Sequence, residues 1–227
     1  MIHTSFLRFS KRGFTIVELM VSVSIILVMT GILLENYPES SIRITLLNNT
    51  HTLALLLREA QVRGSAVDSS NYVIGGYGLL IDSATSSQAI LFGDSVSGLN
   101  LKNSAGFSIG DGLYDKSVSP DTVKEIFAMK RDFSFKKLCV ASSTASLLDA
   151  PRGYLCNATS TPEIKSLTIS FSRPSQSAHI YINSSTSTDY TSACVQLYSS
   201  ESPASGHVRS VLVYHSGMVM TSASSCD

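Results

Sequence analysis

Residues 14–34 read FTIVELMVSVSIILVMTGILL, twenty-one residues with a single charge, Glu18. As a helix rising about 1.5 Å per residue, this run spans about 30 Å, the thickness of a bilayer's hydrocarbon core. It forces one chain to meet two solvents. Before it, residues 1–13 (MIHTSFLRFSKRG) carry Arg8, Lys11 and Arg12 and no acid. A basic flank predicts that this end stays in the cytoplasm while the bulk of the chain lies outside. A secretory signal peptide has a shorter apolar region, about 7–15 residues, and ends in an A-x-A-like site. No such site follows Gly31 to Pro38. A plain anchor fits the length but leaves Glu18 unexplained. A carboxylate at a helix centre in lipid costs roughly 2.5 kcal/mol or more, so one that is kept has a partner.

Composition excludes other classes. Of 227 residues, 15% are charged, against about 25% in ordinary soluble domains. Seventeen Lys+Arg balance seventeen Asp+Glu, which argues against a nucleic-acid binder with its basic excess. The apolar content of 44% with no net charge excludes disorder along the whole chain.

Past Leu34 the pattern predicts more helix after an interruption at Pro38, since proline removes a backbone donor. Ile42, Leu46, Leu53, Leu56, Leu57 and Ala60 recur at helical spacing and form one stripe to bury. Gly64 reads as a C-cap. The remainder reads as short strands between Ser/Gly/Asn turns, with period-two runs such as Leu167, Ile169 and Phe171 against Thr168, Ser170 and Ser172. That alternation predicts one wet face. Residues 94–119 and 141–163 read as loops. Helix first and strands after predict an α+β fold, the helix laid on an antiparallel sheet.

Lys11-Arg12-Gly13-Phe14-Thr15-Ile16-Val17-Glu18-Leu19-Met20 resembles the N-terminal signature of type IV prepilins and type II secretion pseudopilins. The elements are a basic leader ending in Gly, then Phe, then an apolar helix with Glu at its fifth position. The resemblance implies that a prepilin peptidase cuts between Gly13 and Phe14 and that the Phe14 amine is N-methylated. It implies partners: other pilin or pseudopilin subunits, the peptidase and an inner-membrane assembly platform. It also implies no cofactor and no small-molecule substrate. Glu18 then has a partner, the Phe14 amine of a neighbouring subunit in a filament. Cleavage removes three of the seventeen basic residues, leaving 14 against 17 acidic. The expected organisation is a leader at 1–13, a helix at 14–64 (14–34 transmembrane, 35–64 amphipathic) and a β-rich domain at 65–227. LLLREAQVRG at 55–64, with the Gly-rich strand at 72–82 and Ala89–Asp94, resembles the FimT/GspH-like minor subunits. SFSRP at 170–174 and VLVYHSGMV at 211–219 are compatible with that group.

Cys139, Cys156, Cys194 and Cys226 all lie outside the apolar run, and an even number in an exported domain predicts disulfides. Four cysteines allow three connectivities. Cys139–Cys156 with Cys194–Cys226 is favoured, because each pair closes one local excursion. No C-x-x-C or His/Cys spacing suggests zinc, and no metal is expected. Gly106-Phe107-Ser108-Ile109-Gly110 matches G-x-S-x-G, but its turn-rich flanks cannot build a nucleophile elbow. A membrane-tethered hydrolase through Ser108 is therefore a remote alternative. The histidines (His3, His51, His179, His207, His215) show no triad or metal pattern. Asp94, Asp111 and Asp115 lie in a Gly-rich stretch where turn formation outweighs a calcium site. Gly75-Gly76-Tyr77-Gly78 lacks the helix a phosphate cradle needs. Lys130-Arg131 and Lys136-Lys137 form the one basic cluster, read as a charged strand edge before DNA contact. The nearest rival to a structural subunit is a DNA-binding minor pilin for uptake. Such FimT-like proteins carry basic residues near the C-terminus, and Gly217-Met218-Val219-Met220 has none.

Overall fold

The computed structural model describes residues 13–66, 74–96, 110–114, 121–130, 132–141, 154–157, 163–172, 174–187, 190–200 and 208–226. The chain divides into two compact units, Met1–Ser41 and Ile42–Asp227. One helix, α1 (Ile16–Ser65), contributes to both. Ten strands follow: β1 (Ile74–Asp82), β2 (Gln88–Ser95), β3 (Thr122–Ala128), β4 (Phe133–Ala141), β5 (Tyr154–Cys156), β6 (Ser166–Ser172), β7 (Ala178–Ile182), β8 (Ser192–Ser199), β9 (Val208–Tyr214) and β10 (Val219–Ser222). They form two antiparallel five-stranded sheets, ordered β3-β2-β1-β6-β7 and β10-β9-β8-β4-β5. The fold is α+β, with two sheets where one was expected. β5 lies inside residues 141–163, read from sequence as loop. It is three residues long and pairs Cys156 with Cys139 of β4, so the sequence offers no alternation to reveal it.

Two expectations for α1 are corrected. The helix runs through Pro38 without a break. A proline inside a helix removes one backbone hydrogen bond, but long helical stretches on both sides carry the structure past it. Gly64 lies inside α1 and does not cap it. A Cβ there would collide with the Phe171 carbonyl oxygen and lie 2.9 Å from the Phe171 Cβ. Glycine is needed because the last turn of α1 lies directly on β6.

In the second unit, one apolar cluster holds the fold together. Leu46, Leu53, Leu56, Leu57 and Ala60 of α1 join Leu79 and Ile81, Leu91, Leu138 and Val140, Leu167, Ile169 and Phe171, Val195 and Leu197, and Val211 and Val213. The helical stripe predicted from spacing is the buried one, with Ile42 packed partly against it. The four buried leucines of α1 contribute roughly 6–12 kcal/mol of transfer free energy before the cost of ordering the chain. Polar groups fix the docking. Arg58 donates to the Val219 carbonyl (3.2 Å), and Gln61 donates to the carbonyls of Gln176 (3.1 Å) and Gly217 (3.0 Å). Gly217 has φ +84°, so the β9–β10 turn requires glycine there.

Neither sheet keeps a simple wet face. On the second sheet, Leu138 and Val140 point into the main core while Cys139 between them points the other way. Cys139 is in register with both Cys156 on β5 and Cys194 on β8. The disulfides are Cys139–Cys156 (Cα–Cα 4.0 Å) and Cys194–Cys226 (5.9 Å). With Leu212 they form a separate small cluster on the outer face, under which the chain end at Cys226 is tied. On the first sheet, the alternation in β6 is real but the second face is also covered. Thr168 and Ser170 are buried, and Gly112 of the crossing residues 110–114 fits against Ser170.

Gly64→Ala should lower stability by about 2 kcal/mol, since helix and strand backbones must separate. Chemical denaturation of the purified chain in detergent would measure it. Replacing Cys194 and Cys226 together by Ala should cost about 4 kcal/mol for their loop of 32 residues. Melting should fall by about 8–15 °C, followed by circular dichroism.

Candidate functional site

The first turn of α1 begins at Ile16, one residue after Thr15. Thr15 Oγ1 accepts a hydrogen bond from the Glu18 amide at 3.2 Å. Thr15-Ile16-Val17-Glu18 is thus a T-x-x-E capping sequence in place, and Glu18 lies in the first turn, where a negative charge suits the helix macrodipole. The sequence reading passed over this signal because Glu18 was considered as a charge in lipid and not as a helix-start residue. Gly13 and Phe14 precede the helix and are exposed, Phe14 at 78%. A Cβ on Gly13 would meet nothing within 4 Å. Among the described residues, nothing therefore requires glycine at position 13.

From Ile16 to Leu34 the helix has mean hydropathy 2.4 and no buried residue. Its hydroxyls are satisfied internally. Ser22 donates to the Glu18 carbonyl (2.7 Å), Ser24 to Met20 (2.8 Å) and Thr30 to Ile26 (2.7 Å). Such back-bonding lets polar side chains sit in an apolar medium without outside partners. Among the described residues, nothing ion-pairs with the Glu18 carboxylate. From Ile16 to Leu34 the helix is apolar all round, carries one acid at its start and exposes every side chain.

Among the described residues, no three or more His, Cys, Asp or Glu stand together as a metal site. Ser108, Asp115, Arg131, His3 and His207 lie outside the described residues. Lys130 and Lys136 are exposed, and Lys136 sits 5.3 Å from the ring centre of Tyr198. Gly76 and Gly78 lie in β1, where they make room: a Cβ at Gly76 would come 2.7 Å from the Phe171 carbonyl oxygen, and one at Gly78 would strike the Phe92 ring at 2.5 Å. His179 and His215, far apart in sequence, have ring centres 6.0 Å apart. His51 is exposed on α1.

The structure also brings Asp94 and Asp111 together. Asp94 is 2% exposed on the outer face of the first sheet. Its Oδ2 accepts from the Gly112 amide at 2.8 Å. Asp111 turns its own segment by accepting from the Leu113 amide at 3.0 Å. Beside them is a cavity of about 80 Å³ lined by Ser170, Ser172, His179 and Tyr181. At about 30 Å³ per water, it has room for only a few waters and is far below the roughly 300 Å³ of a small-molecule site.

Residues 8–34 match the family model described as the prokaryotic N-terminal methylation motif. The chain carries the type IV pilin and pseudopilin signature. No curated protein and no solved structure matches the chain. The motif supports a pilin-like or pseudopilin subunit that prepilin peptidase processes, and it implies assembly with other pilin subunits. With the apolar helix it supports a single-pass membrane anchor. Proteins with the pilin signature are typically structural and not enzymatic.

Thr15→Val keeps the side-chain volume but removes the cap. About 1 kcal/mol of first-turn stability should be lost, so the Glu18 amide of this pilin-like chain should exchange about fivefold faster in micelles. Hydrogen exchange read by mass spectrometry checks this.

Proposed function

We propose that the protein is a minor subunit of a type IV pilus or a type II secretion pseudopilus. Prepilin peptidase cuts between Gly13 and Phe14, and the new Phe14 amine is methylated. The basic leader holds that end on the cytoplasmic side, so the β-rich unit lies outside the inner membrane. An inner-membrane platform then lifts the helix into a filament. The minor role, and the likeness to FimT/GspH-like subunits, rest on residues 55–64 leading into the Gly-rich strand β1.

One observation carries this reading: a lone carboxylate, Glu18, in the first turn of α1, whose segment Ile16–Leu34 is otherwise free of charge, strongly apolar and wholly exposed. Cleavage places a positive amine four residues before it. Both charges need partners once water is gone. Glu18 of one subunit meets the Phe14 amine of the next. Such a pair sets register more than it adds affinity, because losing either half strands a buried charge at roughly 3–5 kcal/mol. The exposed Gly13–Phe14 bond is open to an enzyme. Since nothing among the described residues demands Gly13, the demand for a small residue there comes from the peptidase.

Co-expression with a prepilin peptidase should shorten the chain by thirteen residues and leave Phe14 first, read by intact mass. Gly13→Leu should block the cut. Glu18→Gln keeps the capping geometry and removes the charge. It should be processed and inserted normally, yet its amount in sheared filaments should fall at least about tenfold. Unchanged incorporation of Glu18→Gln would sink the proposed pairing.

A further inference from the structure

On the outer face of the first sheet, cross-strand register sets Phe92 opposite Gly78, Gly78 opposite Ser170 and Ser170 opposite His179. Asp94 follows Phe92 by two residues and so shares its face. Residues 110–114 cover this row. Gly112, at φ +79°, fits against Ser170 and the Tyr181 ring, where a Cβ would come within 2.8 Å of each. The Tyr114 ring lies 5.3 Å from that of Phe92. A Cβ at Gly110 would occupy the place of the Asp94 carboxyl group. Gly110 and Gly112 thus let the segment close over Asp94.

The closed arrangement leaves one account open. Asp94 Oδ2 holds the Gly112 amide, but Oδ1 is buried with no hydrogen-bond partner. The Asp111 amide also approaches the carboxyl group and weakly favours its charged form. Two further acids face it: Asp111 from the covering segment, and Asp121 from the approach to β3, whose own carboxylate accepts from the Ser95 amide at 2.8 Å. From β7, His179 and Tyr181 line the adjoining cavity. Among the described residues, no Lys or Arg lines it. A sealed oxygen that has no donor among the described residues and that faces two further acids is a place for a proton.

We propose that Asp94 is a proton-operated latch: as a neutral acid it holds residues 110–114 against the first sheet, and on losing its proton it lets them go. Burial pushes the Asp94 carboxyl up to about 8 from an ordinary 3.8, opposed by the Gly112 amide and more weakly by the Asp111 amide, and reinforced by the carboxylates of Asp121 and then Asp111. The closed state therefore holds a proton that the open state gives up. The latch is fully fastened below the ordinary carboxylate range. Opening becomes about tenfold easier per pH unit between about 4 and about 8, and levels off above. Released residues would expose Phe92 and the Ser170 row to solvent. This latch is independent of the filament reading, since it involves neither Phe14 nor Glu18.

The test uses the full chain in detergent micelles from pH 5 to 9. Hydrogen-exchange protection at Gly112 and Leu113, normalised at each pH to an unstructured peptide, should fall about tenfold per unit up to about pH 8. Asp94→Asn cannot ionise and has the same shape, so its protection should be independent of pH. A selectively labelled aspartate carbon at position 94 should titrate near pH 8 in the wild-type chain. Protection independent of pH in the wild type, an equal slope in Asp94→Asn, or a carboxyl that titrates below pH 5 would each overturn the latch.

Discussion

Helix α1 meets two solvents along one backbone, and the rest of the molecule answers to that. From Ile16 to Leu34 every side chain is exposed, and all are apolar but for Glu18 and three back-bonded hydroxyls, Ser22, Ser24 and Thr30. From Ile42 onward only one stripe is apolar, and the sheets bury it. Pro38 lies where the first regime gives way to the second, and the unit boundary falls close by, after Ser41. The second half of the helix is held by packing and by Arg58 and Gln61, which anchor it to strand and turn carbonyls. An all-apolar segment cannot supply such anchors, and a striped one would expose polar side chains to lipid.

The two sheets share a core but cover their outer faces differently. The second sheet uses covalent chemistry, two cystines side by side, which hold a face too poor in apolar side chains to close by packing. The first sheet uses a crossing segment whose glycines permit close approach, and it encloses a carboxyl group. The disulfide closure does not respond to protons, whereas the proposed latch over Asp94 does. Both are compatible with a domain outside the cytoplasm, where thiols are oxidised.

Glu18 shows how one residue can answer to two levels of structure. Within the chain it stands at the third helical position of a capping sequence, and its amide is held by Thr15. In a filament the same carboxylate would meet a neighbour's amine. The local role explains why an acid is tolerated at the start of the helix. It does not explain why a full charge persists in a segment of this hydropathy, which is where the intersubunit pair enters.

Much was legible in the residues themselves. The apolar run, its basic flank and Glu18 gave the membrane helix, because hydropathy over twenty residues is a local property. The stripe from Leu46 to Ala60 and the alternation along β6 could be read from period alone, because side-chain direction follows backbone geometry. Gly64 was misread as a cap because sequence shows only that glycine permits unusual φ angles, not that Phe171 comes to lie against it. β5 was hidden because three residues cannot display a period. Ser170 was read as wet because alternation tells which face a side chain is on, not what later crosses that face. Sequence by itself determined the elements and their apolar faces, which depend on neighbours a few positions away. Tertiary structure alone decided that there are two sheets, that Gly64 meets Phe171, and that Asp94 lies sealed beneath Gly110, since each brings together residues far apart in the chain.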